Sequence, residues 1–214
     1  TCGLKPSWFI GGVCHYLPHS FHVEQGQATG RPFVLEGDEY DTAFWDKVPK
    51  FNHYLPDDVI LTSVEYDHAD IYASLADVEK AFEGLLDRVR PGGRLIACLD
   101  YVSVQKLVPR AKVPVVTYGS SAALGADFHP GAIKTEDGII TFRVMSAKGS
   151  EAEIRLQMPG LHNVMNALAV FIEARTWGIT DEKIAAALAS CQGGKRRQEE
   201  RGEKRGGLVI DDFA

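Results

Sequence analysis

Five short apolar runs, each bounded by turn-forming or charged positions, constrain this chain more than any other feature. They are Trp8-Phe9-Ile10, Pro32-Phe33-Val34-Leu35, Val59-Ile60-Leu61-Thr62-Ser63-Val64, Leu95-Ile96-Ala97-Cys98-Leu99, and the stretch from Val113 to Tyr118. A strand that is apolar on both faces must be covered on both faces, a condition met in a parallel sheet sandwiched by helices. The intervening segments carry the matching helical period. Leu75, Val78, Phe82, Leu85, Leu86 and Val89 fall on one stripe, with Ser74 and Asp77 as a capping pair at its start and Pro91-Gly92-Gly93 closing it.

From about 139 to 157 the pattern changes to alternation: Ile140, Phe142, Val144, then Ala152, Ile154, Leu156. With Lys148-Gly149 between the two halves, this predicts an antiparallel hairpin with one solvated face. Helices are expected over about 161–177 and 181–190, the second capped by Thr180, followed by a strand at Leu208-Val209-Ile210. The expected fold class is α/β: a mainly parallel sheet flanked by helices, with a small antiparallel sheet attached.

Charge and composition narrow the function. A net charge of −6 supplies no basic face for nucleic acid or an anionic membrane surface. No apolar run approaches the roughly 20 residues of a membrane span, and Lys5-Pro6 interrupts the place where a cleavable signal needs an apolar core. The four cysteines, Cys2, Cys14, Cys98 and Cys191, show no C-x-x-C spacing. That distribution fits a reducing compartment, and the cytoplasm is the expected location.

Two acidic clusters follow two of the apolar runs. Glu36-Gly37-Asp38-Glu39-Tyr40-Asp41 comes directly after Phe33-Val34-Leu35, and Glu65-Tyr66-Asp67-His68-Ala69-Asp70 directly after Val59–Val64. Crowded carboxylates repel unless they are solvated or share a cation. In open parallel sheets ligands collect beyond the carboxyl ends of the strands. The two clusters are therefore expected on neighbouring strands, converging on one crevice, where carboxylates and an imidazole suit magnesium or manganese. Glu36 and His68 are the candidate ligands; solvated acidic loops are the plainer alternative. Among seven histidines only His68 is set between acids, Asp67 and Asp70.

Two further groups carry potential chemistry. After Pro159-Gly160, Asn163 and Asn166 stand three apart on one helical face. Their amides match the donor and acceptor edge of a purine, although an N-cap and a surface amide give the same spacing. Lys195-Arg196-Arg197 is a compact basic group that fits either a phosphate clamp or a solvated loop. A Gly-x-x-x-x-Gly-Lys-Thr phosphate loop is not found in these 214 residues.

These motifs together resemble the Mur ligases. Phe33 to Lys47 (Phe-Val-Leu-Glu-Gly-Asp-Glu-Tyr-Asp-Thr-Ala-Phe-Trp-Asp-Lys), Glu65 to Asp70, Pro159 to Ala167, Gly194 to Glu199 and Ile210 to Ala214 each match a stretch characteristic of the family's central domain. Tyr40 and the Thr42–Lys47 continuation are similar to the branch that joins UDP-N-acetylmuramate to the murein tripeptide L-alanyl-γ-D-glutamyl-meso-diaminopimelate. The resemblance implies an ATP-dependent, magnesium-requiring ligase of peptidoglycan recycling that activates a carboxylate as an acyl phosphate. It further implies that Glu36 and His68 help hold magnesium, that Asn163 and Asn166 contact adenine, Arg197 a phosphate, and Asp212 the ribose. Residues 1–214 are then expected to be a central ATP-binding domain cut at both ends. The phosphate loop, the N-terminal UDP-binding domain and the C-terminal domain would lie outside it, and the chain alone is expected to be inactive. Two alternatives remain: another Mur ligase, such as one adding L-alanine to UDP-N-acetylmuramate, and a non-catalytic binding module of Mur-like fold. Leu85 to Leu95 also resembles the late helix–turn–strand of methyltransferases, but no Gly-rich cofactor loop stands upstream of it.

Overall fold

The computed structural model describes residues 2–25, 30–195 and 199–212. It separates into two compact units, one made of the residues up to 36 with those from 190 onward, the other of Gly37–Ala189.

In the first unit, β1 (Ser7–Phe9) lies between β2 (Phe21–His22), to which it is antiparallel, and β3 (Phe33–Leu35), to which it is parallel. The Trp8 ring stacks on His22 with centroids 4.5 Å apart. Its indole N–H donates to the His19 carbonyl at 3.2 Å.

The second unit opens with a hairpin, β4 (Asp41–Ala43) and β5 (Asp46–Pro49), and a single turn, Lys50–His53, that buries Phe51. There follow β6 (Asp58–Leu61), α1 (Leu75–Leu86), β7 (Arg94–Cys98), α2 (Val102–Leu107), β8 (Val115–Tyr118), β9 (Phe128–Pro130), β10 (Lys134–Glu136), β11 (Ile139–Ser146), β12 (Gly149–Leu156), α3 (Leu161–Thr176) and α4 (Asp181–Ala189). Strands β6, β7, β8 and β9 pair in parallel, in that order. Beyond them β11 runs antiparallel to β9, β10 and β12. The sheet is thus parallel through four of its seven strands, and the β11–β12 hairpin turns between Ser146 and Gly149 as the alternation indicates.

The centre of this sheet explains its composition. On β7, Leu95 and Ala97 face a core shared with Val78, Phe82, Leu85, Leu86, Val104 and Leu107 of α1 and α2. Ile96 and Cys98 face the opposite core, with Phe142, Ile154, Leu156 and, from α3, Val164, Leu168 and Phe171. Each large side chain buried this way contributes about 1.5–3 kcal/mol, which is why polar residues are kept off both faces.

Helix α1 begins at Ser74, whose hydroxyl accepts the Asp77 N–H at 3.3 Å and donates to the Asp77 carboxylate at 2.8 Å. The turn after it brings Gly93 against the backbone of Asp57, where an added Cβ would lie 1.7 Å from the Asp57 oxygen. Near the starts of β6 and β7, Arg94 Nε donates to Asp58 at 2.9 Å. Close to that pair, Glu173 of α3 accepts the Trp177 indole N–H at 2.7 Å. No helix among the described residues is long and apolar enough to cross a membrane.

The chain closes in the first unit with the hairpin β13 (Glu199–Lys204) and β14 (Gly207–Asp211). There Cys14 bridges to Gly194, flanked by the bonds Lys195 N–H to Val13 carbonyl at 2.7 Å and His15 N–H to Gly193 carbonyl at 3.4 Å.

One expectation is corrected. The run Val59–Val64 is not strand throughout: it leaves the sheet at Leu61, where its pairing with β7 ends. Apolar runs identify strands, but partners are chosen by ladder hydrogen bonds between segments distant in sequence, which local pattern does not encode.

Candidate functional site

His68 lies on the loop between β6 and α1 in the left-handed region, with φ 57°. Its carbonyl accepts the N–H groups of Ile71 at 2.8 Å and Tyr72 at 3.0 Å, and its own N–H donates to Asp67 Oδ1 at 2.7 Å. These three bonds hold a backbone conformation that few non-glycine residues adopt. The side chain, only 18% exposed, packs its ring at 4.0 Å between centroids against Tyr40. Its Nε2 lies 3.0 Å from Glu39 Oε1, whereas Nδ1 is 3.8 Å from the nearer Asp67 oxygen.

Glu39 is itself fixed. The Tyr72 hydroxyl donates to the Glu39 carbonyl at 2.9 Å, and the Tyr66 hydroxyl to the Tyr72 carbonyl at 3.2 Å. Burial pushes the Tyr72 phenol up to about 12, and the carboxylates of Glu39, Asp41 and Asp38 add to the rise, so it remains a donor. Beside it, Asp38 meets Lys50 Nζ at 2.5 Å and accepts the Tyr40 N–H at 2.7 Å. Burial pushes the Asp38 carboxyl up, but Lys50, the Tyr40 N–H and the His68 ring together hold it below the usual range. Asp41 takes Lys47 at 2.6 Å. The repulsion read from the first acidic cluster is therefore met in good part by lysines and the imidazole of this same unit.

The other candidates stand on other elements. Glu36 is exposed directly after β3 in the first unit, and its Oε2 accepts the Gly11 N–H at 2.5 Å. Asp212 stands exposed just after β14 in that unit. Asn163 and Asn166 share the first turns of α3; Asn163 is half-buried and donates through Nδ2 to the Pro159 carbonyl at 2.6 Å, while Asn166 is exposed. That bond reaches the carbonyl ahead of α3 rather than a free N–H of its first turn, so Gly160 stands at the helix start without a side-chain cap. Arg197 lies outside the described residues.

Among the described residues no group of three or more His, Cys, Asp or Glu side chains converges as a ready-made metal cage. The donor chemistry nonetheless suits a hard dication: carboxylate oxygens, and an imidazole whose Nδ1 lies beyond hydrogen-bond distance of Asp67.

Sequence reading missed Glu39 as the partner of His68, and it missed Asp100. The latter follows β7, where Ser120, just after β8, donates to it through its N–H at 2.9 Å and through its hydroxyl. Cys98 also donates to Asp100 at 3.2 Å. These bonds tie together the carboxyl ends of two parallel strands. All four cysteines are free thiols.

A parallel sheet covered by helices on both faces, with its acid–imidazole group on the loop beyond a strand's carboxyl end, defines an α/β domain of the open ligand-binding class. Residues 20–174 match the Mur ligase middle domain. The chain is 35% identical over its 214 residues to the UDP-N-acetylmuramate–L-alanyl-γ-D-glutamyl-meso-2,6-diaminoheptandioate ligase of Escherichia coli K12, covering 45% of that protein. It is 33% identical over 213 residues to the UDP-N-acetylmuramate–L-alanine ligase of Chlorobium chlorochromatii, covering 43% of it. The crystal structure of UDP-N-acetylmuramate:L-alanyl-γ-D-glutamyl-meso-diaminopimelate ligase from Neisseria meningitides matches with a TM-score of 0.76 and 31% identity, over 91% of this chain and 60% of that one. The chain belongs to the Mur ligase family, as its middle domain. It spans less than half the length of these two curated relatives.

Proposed function

We propose that this chain is the ATP-binding part of a cytoplasmic ligase that joins UDP-N-acetylmuramate to L-alanyl-γ-D-glutamyl-meso-diaminopimelate in peptidoglycan recycling. The observation that carries the reading is the 35% identity, along the whole chain, to a relative of that name. The aromatic and polar continuation Tyr40 to Lys47 supports the same branch. The reaction couples ATP cleavage to amide formation by way of an acyl phosphate, which the amine attacks.

In this reading Glu36 and His68 hold magnesium, whose contribution is to offset charge on the phosphate oxygens. Asn163 and Asn166 contact the adenine edge, Arg197 a phosphate, and Asp212 the ribose. Asn166, exposed one turn into α3, lacks the bond to the Pro159 carbonyl that engages Asn163. The chain by itself should not turn over ATP, since no Gly-Lys-Thr phosphate loop is present in its sequence.

A second reading, addition of L-alanine to UDP-N-acetylmuramate, is favoured by the comparable 33% identity to a ligase of that name. Phosphate release by the product of the complete gene, given ATP, magnesium and UDP-N-acetylmuramate, separates the two. We expect release with the tripeptide and little with L-alanine. The reverse preference selects the second reading, and no release with either supports a binding module.

A further inference from the structure

We propose that Glu39 is the positioning residue for His68: its carboxylate holds the proton on Nε2 and so leaves the lone pair on Nδ1. The inference starts from an asymmetry between the two ring nitrogens. Nε2 is 3.0 Å from Glu39 Oε1, a hydrogen-bond distance. Nδ1 is 3.8 Å from Asp67 Oδ1, too far for one, and that same oxygen already accepts the His68 backbone N–H at 2.7 Å. A carboxylate only accepts, so in a neutral ring the nitrogen facing it must carry the hydrogen.

The arrangement is built to stay in place. Tyr40 covers one side of the ring, and the left-handed backbone at residue 68 is locked by the two N–H bonds to its carbonyl. On the acid's side, Tyr66 holds Tyr72, and Tyr72 holds the Glu39 backbone. Every link from Tyr66 to the imidazole is a hydrogen bond within one unit. A buffer between two charges would not need the acid's backbone fixed as well; presenting one chosen nitrogen does.

The consequence for metal binding rests on the reading of His68 as a magnesium ligand, but the tautomer does not. Histidine ligands commonly donate their second N–H to a carboxylate, and removing that partner lowers metal affinity about 10–100-fold.

The test is nitrogen-15 NMR of the imidazole in the metal-free chain, at about pH 8.5, two units above the ordinary histidine value. His68→Gln identifies the signal. We expect His68 to show protonated Nε2, bare Nδ1, and an Nε2–H proton protected from solvent exchange. In Glu39→Ala that protection should vanish and the tautomers should mix. Glu39→Gln preserves side-chain size in case the alanine variant folds poorly; because an amide can donate or accept, both tautomers should be populated in it too. A doubly protonated ring, a bare Nε2, or an unchanged His68 signal in both variants overturns the proposal. A magnesium titration of the same samples addresses the ligand reading separately: no response of Nδ1 in a correctly fixed tautomer would count against magnesium and leave the role of Glu39 standing.

Discussion

Glu173 is a half-buried acid that the proposed chemistry leaves unused. Trp177 donates to one of its oxygens, and the other is buried with no hydrogen bond. Burial pushes its carboxyl above the usual range; the Trp177 bond opposes the rise and the nearby Asp58 charge adds to it. A carboxyl whose folded value exceeds its unfolded value, about 4.3, keeps its proton to a higher pH in the folded chain than in the unfolded one. Its contribution is therefore full below the unfolded value and is lost as pH rises through the higher folded one. Glu173→Gln keeps a neutral group there at every pH. The melting temperature of the wild type should fall relative to this variant as pH rises from weakly acidic to neutral. Parallel curves for the two proteins would show that Glu173 does not titrate in the folded chain. At this scale the sequence displayed Glu36, His68, Asn163 and Asn166, because each lies in a recognisable local pattern. It did not display Glu39 as a partner of His68, since that contact joins positions 29 apart and depends on the unusual backbone at residue 68.

Helix α1 shows how a local signal becomes an element. Ser74 has extended backbone and satisfies the Asp77 N–H, one of the donors a helix start leaves over. Ser74→Ala should cost about 1 kcal/mol, measured as a lowered urea midpoint with an unchanged slope, whereas Ser74→Asp should restore most of the loss. The same reading from pattern to element worked for β7, the β11–β12 hairpin, α3 and α4, all of which have strong periodicity over enough residues. It failed where the pattern was short or polar. Helix α2 has six residues, the β4 strand Asp41-Thr42-Ala43 has no apolar alternation, and β13 is Glu-Glu-Arg-Gly-Glu-Lys. Those elements form through tertiary partners: α2 by burying Val104 and Leu107, β4 and β13 by pairing with β5 and β14.

Across the whole molecule the two units are unequal. Every described hydrophobic side chain in the buried class belongs to residues 51–184, while Phe9, Phe21, Phe33, Val34 and Leu35 of the first unit are exposed. Local stability follows buried apolar contact. Brief chymotrypsin digestion should therefore cut first within residues 2–36 or beyond 190 and leave a resistant fragment close to 37–189; simultaneous loss of both parts would contradict this. The first unit also draws on sequence from both sides of the second, with Val13, Cys14 and His15 bonded to residues 193–195 and Tyr16 meeting Cys191. Synthesis runs from the amino end, so Val13 to Tyr16 leave the ribosome early and wait for these partners while the larger sheet is made and closed. A segment made early is among the last to be tied. During that interval it stays open to chaperones, and a pause in translation shortly after Ala189 would prolong it.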